Sequence, residues 1–156
     1  MVDISDKKPT RHQAVVVGEI MMQPTTLQAI MKERIRKGNV LTTARLTGII
    51  AAKNTSSLIP LCHPINITNV KMDLKPCQPK IVKNLNALPS ARIEIKTTVE
   101  AFDRTGVEME ALVATTVACL TIYDMCKGID RGMTIGGIKL IEKSGGRSGH
   151  YRRKES

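Results

Sequence analysis

Residues 91–127 read ARIEIKTTVEAFDRTGVEMEALVATTVACLTIYDMCK, and the period of their apolar positions changes partway along. Over residues 91–101, Ile93, Ile95, Thr97 and Val99 alternate with Arg92, Glu94, Lys96 and Thr98, the two-residue repeat of a strand with one buried face. Over residues 107–127, Leu112, Val113, Val117, Leu120 and Ile122 supply a helical buried surface, and Gly128 follows as a stop. A half-buried strand that feeds a long helix predicts an α+β fold.

The pattern extends in both directions. Residues 67–75 alternate Val70, Met72 and Leu74 with Lys71 and Asp73 and read as a second half-buried antiparallel strand. The connection between the two strands carries Pro76, Pro79 and Pro89, is long for a hairpin, and is expected to be mobile. Upstream, residues 54–64 hold Pro60 and Pro64 and read as a stiff loop, because each ring removes an N–H donor and biases the residue before it toward extended geometry. Residues 40–53 read as a helix in which Ala44, Gly48, Ala51 and Ala52 let another backbone approach closely. An earlier helix follows Pro24, with Leu27, Ile30, Met31 and Ile35 in step and Gly38 at its C-terminal cap. The first strand starts near Ala14 and is apolar on both faces, and residues 138–143 form the last strand. The order β, α, α, β, β, α, β is the split βαβ, ferredoxin-like pattern with an extra helix: an antiparallel sheet covered by helices on one face. The uncovered apolar face predicts oligomerisation.

The 156 residues fit a single domain, 1–156, with flexible tails at 1–13 and 144–156. Charged residues at 24% and apolar ones at 42% exclude a disordered or collagen-like chain. With Phe102, Tyr123 and Tyr151 as its aromatics and no Trp, the core must be filled by aliphatic side chains and eight Met. A net charge of +10 favours phosphate-bearing partners. A non-catalytic RNA-binding module on the same fold would carry aromatics on its central strands, and residues 67–75 and 91–101 have none, so no nucleic-acid partner is expected. A small-molecule-binding regulatory domain is the other competing class, distinguished by ligand binding without turnover. Cys62, Cys77, Cys119 and Cys126 lack zinc-ribbon or redox spacing, and the N-terminus has no apolar signal segment, which fits reduced thiols in a cytoplasmic protein. No apolar run approaches the roughly 20 residues that span a bilayer, so no membrane partner is expected.

Several residues can carry chemistry. Gly137 followed by Lys143-Ser144 nearly matches a phosphate-binding loop, but Glu142 replaces the glycine before the lysine and the run overlaps a strand, so the match is rejected. Ser144 to Gly149 is too rich in glycine to hold one shape unaided; it can wrap an anion with backbone N–H groups or serve as a linker. His63, between Cys62 and Pro64, projects from restricted backbone, which suits a positioned acid, base or donor as well as a structural histidine. Cys62 has no second ligand pair for zinc. Asp124 and Lys127 share a helix face in a mostly apolar setting, where partial burial would shift their proton affinities. Lys53 ends a helix among small residues that leave its ammonium open to an anion, or it snorkels along the surface. Glu108 and Glu110 open the long helix, where carboxylates favour the positive end of its dipole, or they project together from a short extended lead-in. His12 and His150 fall in the tails and carry no signal.

The runs Lys37-Gly38-Asn39-Val40, Ala51-Ala52-Lys53, LIPLCHP ending at Pro64, GVEMEAL ending at Leu112, TIYDMCK ending at Lys127, and Lys143-Ser144-Gly145-Gly146 together resemble the cyclic pyranopterin monophosphate synthase family, also called molybdenum cofactor biosynthesis protein C. The match covers about residues 2–149. The resemblance implies a lyase that acts on a cyclised dihydroguanosine triphosphate, a GTP-derived small molecule, rearranges it to cyclic pyranopterin monophosphate and releases pyrophosphate. It implies that Lys53, Asp124 and Lys127 are catalytic, with Lys53 and Lys127 as the acid/base pair, and that Cys62, His63, Glu108, Met109 and Glu110 bind substrate; no metal site or cofactor is expected from the residues, and either protein cations or Mg²⁺ can support the departing pyrophosphate. It also implies a homohexamer, a trimer of dimers, with pockets between subunits. Ser57 stands where many relatives carry an acidic residue, and residues 76–89 form a longer stretch than usual in the family.

Overall fold

The long helix forecast from residues 107–127 is α4 in the numbering used below, and everything else is arranged around it. The computed structural model describes residues 1–79, 90–147 and 149–154. In chain order its elements are β1 (Thr10–Met22), α1 (Pro24–Met31), α2 (Val40–Lys53), α3 (Thr55–Leu58), β2 (Ile67–Cys77), β3 (Ala91–Asp103), α4 (Glu108–Cys126), β4 (Thr134–Ser144) and β5 (Tyr151–Arg152). The strands form one sheet in the order β2-β3-β1-β4-β5 with antiparallel pairings throughout. The fold is α+β. β1 and β2 run parallel to each other with β3 inserted between them, so the β1-helices-β2 unit is split by the strand that follows it.

Alternation on the central strands decides which face is covered. On β1 the even positions Ala14, Val16 and Ile20 are fully buried, as are the odd positions Ile93, Ile95 and Val99 on β3. Ile20, Ile93 and Ile95 share a core cluster with Ala114, Ala118, Cys119 and Ile122 of α4, Ala14, Val16 and Val99 share another with Val107 and Ala111, and Met72, Met125 and Met133 fill space that rings occupy elsewhere. The Thr115 hydroxyl donates to Thr97 Oγ1 at 2.8 Å, so the one polar pair in this contact satisfies itself. α2 packs along α4, and Gly48 allows the approach: a Cβ there would lie 3.0 Å from the Ala114 carbonyl oxygen and press on Met72. By length and composition α4 is apolar enough to cross a membrane, contrary to the run-length expectation, but half of it is buried against the sheet and α2.

Several boundaries differ from the sequence reading. β1 begins at Thr10 rather than near Ala14, because residues 10–13 pair with residues 100–103 of β3. His12, expected in a tail, is 6% exposed and sits by hydrogen bonds at 3.0 Å to Thr10 Oγ1 and 3.1 Å to the Asp103 carbonyl. α1 ends at Met31, not at Gly38; Glu33 at φ +53° breaks the helix, and Gly38 at φ +104° instead turns the chain into the Asn39 cap of α2. Residues 54–64 contain one helical turn, α3, completed before Pro60 acts. β4 starts at Thr134, four residues earlier than expected. Part of the C-terminal tail is ordered: Arg153 N–H donates to the Ile141 carbonyl at 2.7 Å, and β5 pairs with β4. Gly145 and Gly146, both at positive φ, lie against the Arg11 backbone and the His12 ring, which supply the shape the glycines lack. The connection expected to be mobile falls largely on residues 80–89, outside the described residues.

The uncovered sheet face also differs from expectation. Among the described residues it is apolar chiefly along β1, through Val15, Val17 and Met21, with Ile141 of β4 beside them, while β3 presents Arg92, Glu94 and Lys96 and β2 presents Lys71, Asp73 and Lys75. The helices expose apolar side chains as well, and Leu46, Ile50 and Leu120 are each more than half exposed.

Candidate active site

Two clusters of the expected site residues form, one at each end of α4. At its N-terminus a cavity of about 350 Å³ is lined by Leu61, Cys62, His63 and Ile65 from the loop after α3, and by Thr105, Gly106, Glu108, Met109 and Glu110. Val2, Ile4 and Lys7 of the N-terminal segment close it. All five residues expected to bind substrate, Cys62, His63, Glu108, Met109 and Glu110, therefore share one wall-to-wall space.

Local structure explains why they meet. The α3 turn is tied back by Thr55, whose buried hydroxyl donates to the Ala51 carbonyl at 3.2 Å, and Cys62 N–H donates to the Ile59 carbonyl at 3.0 Å. Ile65 and Ile67 then pack on Val107 and Ala111 in a second apolar cluster, which presses the Cys62-His63 loop against the start of α4. Gly106 leaves room for the Glu108 carboxylate, which a Cβ there would push to another position. The helix begins at Glu108 itself, so the two acids are first-turn helical residues and the extended lead-in does not form. Glu110 is 3% exposed. Burial raises its proton affinity, and the neighbouring Glu108 charge adds to the effect. The Cys62 thiol is likewise pushed up by burial and by the Glu110 charge, which keeps it protonated and a poor nucleophile.

Sequence reasoning missed Lys143 as a member of this cluster. Its side chain is 14% exposed, and Nζ lies 3.9 Å from Glu108 Oε1, placing an ammonium beside the carboxylates. The signal was the Lys143-Ser144-Gly145-Gly146 run, which entered the family resemblance and a rejected phosphate-loop match without a role for the lysine itself.

The second cluster lies at the C-terminal end of α4. Asp124 Oδ1 is 2.7 Å from Lys127 Nζ, and Asp124 Oδ2 is 2.6 Å from Lys37 Nζ, which also donates to the Asp124 carbonyl at 3.0 Å. Hydrogen bonds from Lys127 and Lys37 lower the Asp124 carboxyl to about 2, and Asp124 in turn raises Lys127. The expected partial burial is not observed: Asp124 and Lys127 are 54% and 55% exposed, so the shift comes from charge pairing rather than desolvation. Lys37 was likewise missed; the Asn39 cap, which accepts from Thr42 N–H at 2.9 Å, fixes where α2 starts and so where Lys37 points.

Lys53 joins neither set by contact. It is the exposed last residue of α2. Because α2 runs antiparallel to α4, with Lys37 at Asp124 and Thr47 Oγ1 2.8 Å from Thr121 Oγ1, Lys53 stands at the Glu108 end. α4 is continuous from Glu108 to Cys126, so Glu110 and Asp124 are about 21 Å apart along its axis at about 1.5 Å per residue. One chain does not bring the two clusters together.

Residues 1–146 match the MoaC family model. A cyclic pyranopterin monophosphate synthase of Methylobacterium nodulans is 54% identical over 97% of this chain and 88% of its own length. The proteins of the same name from Magnetococcus marinus and Parvibaculum lavamentivorans are 50% and 49% identical over 98% and 99% of this chain and 88% and 90% of theirs.

Proposed function

The chain belongs to the MoaC family, and we propose that it is itself a cyclic pyranopterin monophosphate synthase. In this reading it is a lyase of molybdenum cofactor biosynthesis that rearranges a cyclised dihydroguanosine triphosphate and expels pyrophosphate. The observation that carries the reading beyond family membership is the convergence of Cys62, His63, Glu108, Met109 and Glu110 on one cavity. Such a rearrangement needs several proton transfers and cation support for the departing diphosphate. Lys127, held protonated by Asp124, suits neutralisation of an anion, and Lys53 and Lys127 form the acid/base pair of this reading. Glu110, whose burial raises its proton affinity above that of an ordinary carboxylate, is suited to take up and return a proton. His63 positions substrate.

We infer further that the working pocket is shared between subunits. A two-fold axis across the outer surface of α2 and α4 would lay two α4 helices antiparallel and set Asp124, Lys127 and Lys37 of one chain against Glu108, Glu110, His63 and Lys53 of the other. Leu46, Ile50 and Leu120 on that surface give the contact its apolar material. Three such pairs make the expected hexamer. The ferredoxin-like assignment is supported by the central order β2-β3-β1-β4. A cytoplasmic location is supported by four free cysteines. The competing RNA-binding reading is weakened by the composition of the strands: β3 reaches Phe102 at its end, one ring rather than a stacking platform.

Incubation with the cyclised nucleotide tests the activity. Cyclic pyranopterin monophosphate and pyrophosphate should appear in equal amounts; binding without turnover would favour the regulatory-domain class instead.

A further inference from the structure

We propose that the open face of the sheet carries an oligophosphate-binding groove, distinct from both clusters on α4. Lys96 of β3, Lys139 of β4 and Arg152, Arg153 and Lys154 of the C-terminal segment line a cavity of about 970 Å³ floored by Val15, Val17 and Ile141. Five cations there face one carboxylate, Glu142. That carboxylate is already engaged, 2.8 Å from His150 Nε2. His150 holds its carboxyl below the ordinary range, and the charges of Arg152 and Lys96 act in the same direction.

The sheet register builds the site. Val17 pairs with Lys96 on one side and Lys139 on the other, which sets the two lysines on one transverse row two strand spacings, about 10 Å, apart. The far wall is fixed as well: Arg153 N–H donates to the Ile141 carbonyl at 2.7 Å and its Nε to the Leu140 carbonyl at 2.8 Å, which orients the guanidinium. The adjoining cavity of about 480 Å³ shares Val17, Lys96 and Lys139 but adds the three acids Glu19, Asp73 and Glu94 against one further cation, Lys75. Those acids have cationic neighbours of their own: Arg92 lies 3.2 Å from Glu19 and 2.6 Å from Glu94, and Lys71 3.6 Å from Asp73. The unbalanced positive charge is therefore concentrated on the side of β5.

A monovalent anion neutralises one of these cations and leaves the rest repelling one another, whereas a di- or triphosphate places several charges along the row at once. The lining residues include no aromatic ring, so nothing there stacks the bases of a nucleic acid. The ligand class is an oligophosphate, for which free pyrophosphate and tripolyphosphate are the two probes.

Calorimetric titration of the full-length protein in its native assembly, at fixed ionic strength, tests this. Tripolyphosphate should bind saturably at one site per chain and pyrophosphate more weakly. The double variant Lys96→Gln with Lys139→Gln should weaken binding by about tenfold or more, and Arg153→Lys, which keeps the charge but loses the fork, by several-fold. Because the α4 clusters are themselves proposed to hold the departing diphosphate, the titration is repeated in Lys127→Ala, where the groove site should persist with its own affinity unchanged while any binding at the α4 clusters weakens. Equal heats from sulfate at matched ionic strength, unchanged affinity in both groove variants, or loss of binding in Lys127→Ala alone would each overturn the assignment. Unaltered circular dichroism of Arg153→Lys guards the comparison if the double variant unfolds.

Discussion

Mixing two dead enzymes should revive one. Lys53 stands at the Glu108 end of the helix pair and Lys127 at the other, with α2 spanning 14 residues and α4 19. At about 1.5 Å per residue the 14 residues of α2 alone separate the two ends by roughly 21 Å, too far for both lysines of one chain to serve one small substrate. Lys53→Ala and Lys127→Ala should each fold, assemble and lose turnover by orders of magnitude. If every pocket takes Lys53 from one chain and Lys127 from its neighbour, equal mixing with free exchange leaves about one pocket in four with both lysines intact, whatever the ring size. Activity should climb from near zero to about a quarter of wild type as subunits exchange. A mixture of Asp124→Ala and Lys127→Ala is the control: both lesions lie in the same half of the pocket, so it should stay dead. Product formation followed over the exchange time is the assay. Persistent inactivity of the Lys53→Ala and Lys127→Ala mixture, with exchange confirmed by mass-tagged subunits, would refute the shared pocket.

Other expectations follow from individual contacts. Lys37→Ala removes one of two ammonium partners, so the Asp124 carboxyl should titrate above its present value of about 2; carbon-detected NMR reads this directly, and no change would remove Lys37 from the cluster. Because the folded value lies below the unfolded one, the pairing stabilises the fold above about pH 4 and is lost as pH falls toward 2; in Lys37→Ala that loss should begin at higher pH. Glu110 has the opposite sign: its proton affinity is raised on folding, so ionisation costs stability as pH rises past the ordinary carboxylate range. Glu110→Gln should therefore raise the urea midpoint at pH 7 more than at pH 4, while reducing turnover; an equal change at both pH values would show that burial does not hold the proton. Gly48→Val forces a branched side chain toward the Ala114 carbonyl and Met72 and should cost about 2–3 kcal/mol in denaturant unfolding. A neutral result would mean that α2 and α4 are free to move apart.

The alternation of Ile93, Ile95, Thr97 and Val99, the apolar run from Leu112 to Ile122 and the small residues of α2 sufficed to set the element types and the covered face of the sheet, because burial on one side imposes its period directly on the chain. The same local rules raised His63, Glu108 and Glu110 as candidates, since prolines and helix starts leave marks in the sequence, whereas Cys62 and Met109 entered only through the family resemblance. Tertiary structure decided what no window of residues contains. Asp130, 3% exposed, accepts from Gln23 N–H at 2.9 Å and Thr26 Oγ1 at 3.1 Å, so α1 is capped by a carboxylate more than a hundred residues away. His12 and the glycines at 145 and 146 order one another, which neither segment does alone. Lys37 and Lys143 acquire their carboxylate partners only when β4 and the turn before α2 are laid beside α4. Asp124 has its low proton affinity not from the apolar neighbours in its sequence but from two ammonium groups, one of them 87 residues distant. Charge pairing acts through space, so its partners become visible only once the chain has folded.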